Sequence, residues 1–291
     1  MNEKFLTIFT PTFNRGYVLK RLYDSLCNQT DKGFEWIIVD DGSKDNTEEL
    51  VQSWILENKI HIRYLYQKNS GKSQAHNLGV SQSNKEFFTC VDSDDFLTIN
   101  AVEELKKICN KAKNMSVIGI VCKRGDLRGK SITSWKVGLS RETFFRAQKK
   151  YALTGDTMLI WKTKVLKTVE FPLFVGEKFI PEGYLYDRLS QIGECLFVDK
   201  VLYKCEYLPD GYTASMRQVN THNPHGYQAY IQQRLRMDFC LRDKFLDSVR
   251  YVAIKCVIGD GKFIQDAVYP FITILALIPG YVFFLKSYKN T

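Results

Sequence analysis

At 291 residues, with 45% hydrophobic side chains, the chain has ample material for a packed core, which excludes a disordered polymer. The net charge of +9 is uneven: residues 1–100 carry 11 basic against 14 acidic side chains, and residues 101–291 carry 30 against 18. No nucleic-acid-binding motif accompanies that basic back half, so anionic lipid or phosphate is the expected partner. The eight cysteines lack any Cys-x-x-Cys pair and read as reduced core thiols of a cytoplasmic protein.

A strand is predicted within a few residues of Met1, which leaves no room for a signal peptide. Phe5–Thr10 and Glu35–Val39 are short apolar runs with an amphipathic stretch, Val18–Cys27, between them. This is a β-α-β unit, implying a parallel sheet with a right-handed crossover. His61–Tyr66 and Glu86–Val91 add two strands, separated by helical stretches over Asp45–Glu57 and Ser73–Val80. The first 110 residues therefore read as a doubly wound α/β unit, in which ligands sit at the carboxyl ends of the strands. Three polar clusters fall there: Thr10-Pro-Thr-Phe-Asn-Arg15, Asp40-Asp-Gly-Ser43 and Asp92-Ser-Asp-Asp95.

The last of these places three carboxylates within four residues. In extended chain Asp92 and Asp94 share one face and Asp95 takes the other. Two carboxylates aimed at one place repel unless something positive lies between them, and Mg²⁺ or Mn²⁺ bridging to phosphate oxygens is the usual solution. The following helix has its own start signal in Asn100 and Glu103, as the helix after Asp40-Asp41 has in Asp45 and Glu48, so neither aspartate cluster is needed as a cap. Asn69-Ser-Gly-Lys-Ser73 lacks the glycine a full phosphate loop needs at position 66, where Tyr66 stands. Lys72 at a helix N-terminus still suits a diphosphate.

Further along, Met115–Cys122 is a predicted strand followed by a basic loop, in which Lys123, Arg124 and Arg128 are expected to face solvent. Thr157–Trp161 is another strand, and Pro181 begins a helix with Glu182 in its first turn. Leu196–Val198 and Val201–Glu206 read as a final strand pair, before a polar loop to Gly226. His222 and His225 in that loop have no obvious third ligand and are not read as a metal site. Residues 227–258 are helical in pattern. Ala267–Leu285 is nearly all apolar, but Pro270, Pro279 and Gly280 favour an interfacial or re-entrant hairpin over a spanning helix. A buried docking helix and a self-association face are the alternatives.

Together the four motifs of the first 100 residues, Thr10–Arg15, Val39–Ser43 with Asp45, Asn69–Lys72 with Ala75 and Asn77–Gly79, and Val91–Asp95, resemble glycosyltransferase family 2. The resemblance implies a GT-A fold, a Rossmann-like, mostly parallel sheet flanked by helices, over residues 1–212. Within it, residues 1–110 form the nucleotide-sugar half and 111–212 the acceptor side, followed by a flexible lid at 213–226. A helical, membrane-associating or oligomerising extension then fills 227–291. It further implies a nucleotide-sugar donor, UDP-linked, held by Thr10, Pro11, Thr12, Asn14, Arg15, Asp40, Asp41, Lys72, Asn77, Asp92 and Ser93, with Asp94 on Mn²⁺ or Mg²⁺. Glu182 looks like the general base, with Asp156 and Asp187 as alternates because Gly183 follows where many relatives have aspartate. His76 stands where many relatives have arginine.

The implied reaction is metal-dependent, inverting transfer to an acceptor hydroxyl, and the apolar tail with the basic back half points to a lipid-linked glycan as acceptor, as in bacterial surface polysaccharide synthesis. It would take place peripherally on the inner face of the cell membrane, with a homo-oligomer as one possible form. A nucleotidyltransferase would need a glycine-rich loop after strand one, and a non-catalytic nucleotide-sugar-binding scaffold would not need Glu182.

Overall fold

The structure, a computed structural model, describes residues 5–206, 215–237 and 240–289. Its first elements are β1 (Leu6–Thr12), α1 (Gly16–Cys27), β2 (Phe34–Asp40), α2 (Thr47–Glu57), β3 (Ile62–Tyr66), α3 (Lys72–Gln82) and β4 (Phe87–Cys90). Next come β5 (Phe96–Leu97), α4 (Ala101–Lys113), β6 (Gly119–Gly125), β7 (Arg141–Glu142), α5 (Phe144–Lys150), β8 (Thr157–Lys162) and α6 (Thr163–Leu166). The remainder is α7 (Gly183–Ile192), β9 (Cys195–Lys204), α8 (Met216–His222), α9 (Pro224–Leu235), α10 (Leu241–Ile258) and α11 (Pro270–Ser287). The chain divides into two compact units, residues 1–170 with 185–206, and residues 171–184 with 207–291.

The first unit is built on one sheet in the order β3-β2-β1-β4-β8-β6-β9-β5, with β7 also on β9. Strands β1, β2, β3, β4, β6 and β9 run one way, and β8, β5 and β7 the other. The order 3-2-1-4 puts a reversal of winding between β1 and β4, so a crevice opens at their carboxyl ends. Every residue of β2 is buried, as a strand covered on both faces requires. Tyr23, Trp36 and Trp54 stack beneath it, with 4.3 Å between the Tyr23 and Trp54 centroids.

Elements in the first 110 residues begin and end within a few residues of their predicted limits, and the differences come later. The expected pair of final strands is a single strand, β9, which absorbs the polar Asp199-Lys200 through shifts of register against β6. Within the expected polar loop to Gly226, residues 207–214 lie outside the described part, Met216–His222 is a helix, and Pro224–Leu235 begins three residues before the helix expected from 227. Asn223 separates the two, and its Oδ1 accepts the backbone N–H groups of Lys178 and Phe179 at 2.7 and 3.0 Å.

The second unit packs α10 against both α9 and α11, around Ile231, Leu235, Tyr251, Val252 and Ala276. Lys255 is fully buried there, and its ammonium is held by Asp260 at 2.5 Å and Asp266 at 2.7 Å. Contrary to the expected hairpin, α11 is one continuous helix. Pro270 sits in its first turn, where no N–H is needed, and Gly280 lets the helix approach α10 so closely that a Cβ there would fall 2.5 Å from Val252 Cβ.

Helix α3 packs on β1 through Gly79, where an added Cβ would lie 2.4 Å from the Phe9 ring. Gly79→Ala is expected to destabilise the protein by about 1–3 kcal/mol through overpacking. A lower urea midpoint at unchanged m-value would show it.

Candidate active site

The crevice between β1 and β4 is framed by three loops that hold one another. Asn14 adopts a left-handed backbone, φ 52°, and reaches across to the second loop. Its Oδ1 accepts the Lys44 N–H at 2.7 Å, and its own N–H donates to Ser43 Oγ at 2.8 Å. Asp45, expected as a helix cap, accepts the Gly16 N–H at 3.1 Å with one oxygen and the Thr47 N–H at 3.2 Å with the other, so it joins the two loops as well as opening α2.

Asp40 and Asp41, read from the sequence as ligand-binding, both act on these loops. Asp40 accepts the Ser43 N–H and the Tyr64 hydroxyl, each at 2.7 Å. Asp41 accepts Gln67 Nε2 at 2.6 Å, Ser70 N–H at 2.7 Å and Gly71 N–H at 2.8 Å. A carboxylate accepts about four hydrogen bonds, so Asp41 has capacity left for a ligand donor. Between them Gly42, at φ 85°, brings the turn so near the third loop that a Cβ would meet Asn69 N at 2.9 Å. By fixing Gly71, Asp41 fixes the start of α3 and with it Lys72.

The Asp92–Asp95 segment is a turn rather than extended chain, closed by the Asp95 N–H to the Asp92 carbonyl at 3.1 Å. Asp92 and Asp94 still present part of their carboxylates to solvent, while Asp95 is turned inward at 5% exposure. Lys72 Nζ lies 2.7 Å from Asp92, and Arg15 lies 3.1 Å from Asp94. Arg21 donates to the Asp94 carbonyl and pairs with Glu206 at 2.9 Å. Burial opposes ionisation of Asp92, but the charges of Lys72, Arg124 and Arg15 outweigh it and hold its carboxyl below the usual carboxylate range.

Arg124 and Tyr203 complete the cluster, and the sequence reading missed both. Arg124 was expected in a solvated loop, but β6 runs to Gly125, beyond its predicted end, and carries the side chain under the aspartate turn at 17% exposure. Its guanidinium lies 3.9 Å from Asp92, 3.7 Å from Asp95 and 4.0 Å from the centre of the Tyr203 ring, and its Nε donates to the Thr157 carbonyl at 3.0 Å. The buried Tyr203 hydroxyl donates to Asp95 at 2.7 Å and accepts the Asp92 N–H at 3.0 Å. Burial, and then the Asp92 charge, push Asp95 up to about 7. No local signal marks Tyr203: it alternates within an ordinary strand.

The other sequence candidates divide by exposure. Thr10 is fully buried, its hydroxyl accepting Trp36 Nε1 at 2.9 Å, and Thr12 and Ser93 are buried too. Pro11 and Asn77 are half-buried, and Phe13, not singled out from sequence, is 44% exposed. His76 packs edge-on to Phe9 and Phe88, each at 5.6 Å. Asp156 is exposed and Asp187 is buried. Glu182 is exposed and stands immediately before α7, in the second unit. Gly183 beside it has a packing reason, since a Cβ there would meet Tyr230 Oη at 2.7 Å.

His222 bonds the Gln218 carbonyl at 2.7 Å, and His225 pairs with Glu177 at 2.7 Å. Among the described residues, no three His, Cys, Asp or Glu side chains converge as a metal cage. A part-exposed Asp94 beside Asp92 instead fits a cation shared with phosphate oxygens, the way Mg²⁺ is commonly held by one or two carboxylates plus substrate.

Because Asp95 is raised from its ordinary 3.8 to about 7, the folded state keeps a proton there that the unfolded chain releases. Its contribution to stability is complete below the unfolded value and is lost as pH rises through the folded one. Urea midpoints in chelator between about pH 4 and pH 7 should therefore fall for the wild type relative to Asp95→Asn. Tyr203→Phe should cost about 1–3 kcal/mol near neutral pH, because it leaves buried partners unsatisfied.

The profile described as Glycosyl transferase family 2 matches residues 7–168. The glycosyltransferase GlyA of Streptococcus pneumoniae serotype 4 is 34% identical over 216 residues, 68% of this chain and 30% of that protein. The chain spans about a third of the length of the first curated relatives it matches. Among solved structures, S. aureus TarS 1-349 in complex with UDP-GlcNAc is 18% identical with a TM-score of 0.63, covering 97% of this chain and 81% of that one. The mannosyltransferase PcManGT from Pyrobaculum calidifontis, in complex with GDP-Man and Mn²⁺, is 15% identical with a TM-score of 0.57, covering 99% and 88%. These likenesses show the fold to be that of the GT-A glycosyltransferases. With more than half its length matched by the family profile, this chain belongs to glycosyltransferase family 2.

Proposed function

We propose that the protein is a metal-dependent, inverting glycosyltransferase that moves a sugar from a UDP-linked donor to a hydroxyl of a lipid-linked glycan, in bacterial surface polysaccharide synthesis. The observation that carries this reading is the aspartate turn at the end of β4, ringed by Arg15, Lys72 and Arg124. Three cations already gathered around partly exposed carboxylates suit a ligand that brings both a diphosphate and a divalent cation. The fold-level likeness to structures holding UDP-GlcNAc, and GDP-Man with Mn²⁺, supports the same class of donor.

Under this reading the exposed Phe13 ring and Asp41 receive the base, the backbone of Thr10–Thr12 lines the nucleoside, and Asp92 orients the ribose and sugar. Asn14 and Asp40 hold the loops around them, and Ser93 and Asn77 border the donor. Lys72 and Arg15, flexible and partly exposed, turn from their aspartates toward the phosphates. Asp94, with Mn²⁺ or Mg²⁺, would supply positive charge for the departing diphosphate. Glu182 is the general base that takes the proton of the acceptor hydroxyl as the hydroxyl oxygen attacks C1 from the face opposite the leaving group. A single displacement of this kind inverts the anomeric centre. Asp156, exposed, is the next candidate base, and buried Asp187 is the weaker one.

The acceptor side rests on the basic back half and the apolar helix α11, which support a site of action at the inner membrane surface, held peripherally. The test is binding and hydrolysis over a panel of nucleotide sugars, with Mn²⁺ or chelator. Asp94→Ala should lower metal-dependent release of the nucleoside diphosphate by about 10²-fold or more. Glu182→Gln should leave donor binding intact and cut transfer by about 10²–10⁴-fold. If no donor binds with metal present, the donor reading fails. If Glu182→Gln leaves transfer unchanged, the base is elsewhere, with Asp156 next.

A further inference from the structure

Helix α11 has two unlike faces. Thr273, Ala276 and Gly280 are buried on the α10 side, while Phe271, Ile274, Leu275, Ile278 and Val282 are 85, 50, 71, 79 and 42% exposed. Their spacing, 0, 3, 4, 7 and 11, makes one continuous apolar stripe along the helix. A stripe of that size on a soluble surface marks a contact with an apolar phase.

At 18 residues, roughly 27 Å by the helical rise, α11 is just long enough to cross a bilayer. Its partner rules that out. The small-residue face is seated on α10, which carries Arg242, Asp243, Lys244, Asp247, Arg250 and Lys255, so a spanning α11 would drag those charges into hydrocarbon. The stripe is therefore available only side-on.

Charge selects what it meets. Residues 267–291 contain two lysines and no carboxylate side chain. Lys286 and Lys289 lie exposed at the end of α11, and Lys244 sits over the Tyr269 ring, 4.6 Å from its centre, at the beginning. Cations at both ends of an apolar stripe match phosphate headgroups flanking an acyl boundary. A second copy of the same face would add lysines at the ends of the seam with no carboxylate of residues 267–291 to pair them.

We propose that α11 lies in the plane of an anionic bilayer surface, its Phe271–Val282 stripe set into the acyl boundary and Lys244, Lys286 and Lys289 on lipid phosphates. The proposal deepens the membrane-side reading above, on which it rests, by naming the face, its orientation and the lipid class.

The test is co-sedimentation of the full chain with vesicles of phosphatidylcholine alone, or with about a third phosphatidylglycerol. The wild type should bind the anionic vesicles in a salt-sensitive way and the neutral ones far less. Phe271→Gln/Leu275→Gln/Ile278→Gln, all at exposed sites, should weaken binding about tenfold or more. Lys286→Gln/Lys289→Gln should abolish most of the preference for phosphatidylglycerol. Nucleotide-sugar binding, measured on the same samples, should be unchanged in both variants.

If the triple variant binds vesicles as well as the wild type, the face is wrong while the membrane reading stands. If the wild type binds no vesicles, both fall, and the transferase reading is judged separately by donor hydrolysis. A dimer in light scattering that the triple variant dissolves, without vesicle binding, overturns the proposal in favour of self-association.

Discussion

Three carboxylates in four residues cannot coexist in a half-buried crevice without compensating positive charge, and the architecture of the first unit is organised around supplying it. Arg15 comes from the loop after β1, Lys72 from the first turn of α3 and Arg124 from β6, three elements distant in sequence. Each is aimed by something else. Asn14 and Asp45 tie down the loop beside Arg15, Asp41 anchors the residue before Lys72, and the Tyr203 ring lies flat against Arg124. Without a ligand these cations are held by the aspartates themselves. Under the proposed function, a diphosphate with its cation would substitute for that internal pairing, so the charge balance would survive the exchange.

The part of this legible in the sequence is the part made by local pattern. Hydrophobic runs bounded by Pro, Gly and Asp gave away β1, β2, β3 and β4 and the helices between them, and the polar residues at their carboxyl ends located the crevice. Asp95 was separated from Asp92 and Asp94 by extended-chain alternation. The separation is real, but a turn produces it. What stayed hidden depends on residues far apart in the chain. Arg124 looked like one cation among several in a loop, because nothing in its neighbourhood announces that β6 continues to Gly125 beside the turn. The proline and glycine positions of α11 read as breaks when considered alone. In the folded unit one proline starts the helix, and the glycine is the point where it touches α10.

The segment carrying Glu182 shows a similar dependence. Its backbone is stitched to the α8–α9 junction through Asn223, Glu177 receives the N–H groups at the start of α9, and Gly183 leaves room for Tyr230. The glycine at position 183 thus accompanies a tyrosine two turns into α9, whose start lies three residues before the predicted helix. Substitutions at the two positions should be read as a pair, since they share one small volume.

Tyr203 carries a consequence for how the protein comes into being. Its hydroxyl locks the aspartate turn from β9, more than a hundred residues further along the chain. While a ribosome is still making the segments between them, the turn lacks both its hydroxyl clamp and the ring on which the Arg124 guanidinium rests. The full set of contacts around the turn is therefore complete only once translation has passed the ninth strand. A prematurely terminated product ending before β9 would hold all four family motifs, yet lack the clamp that sets its aspartate turn.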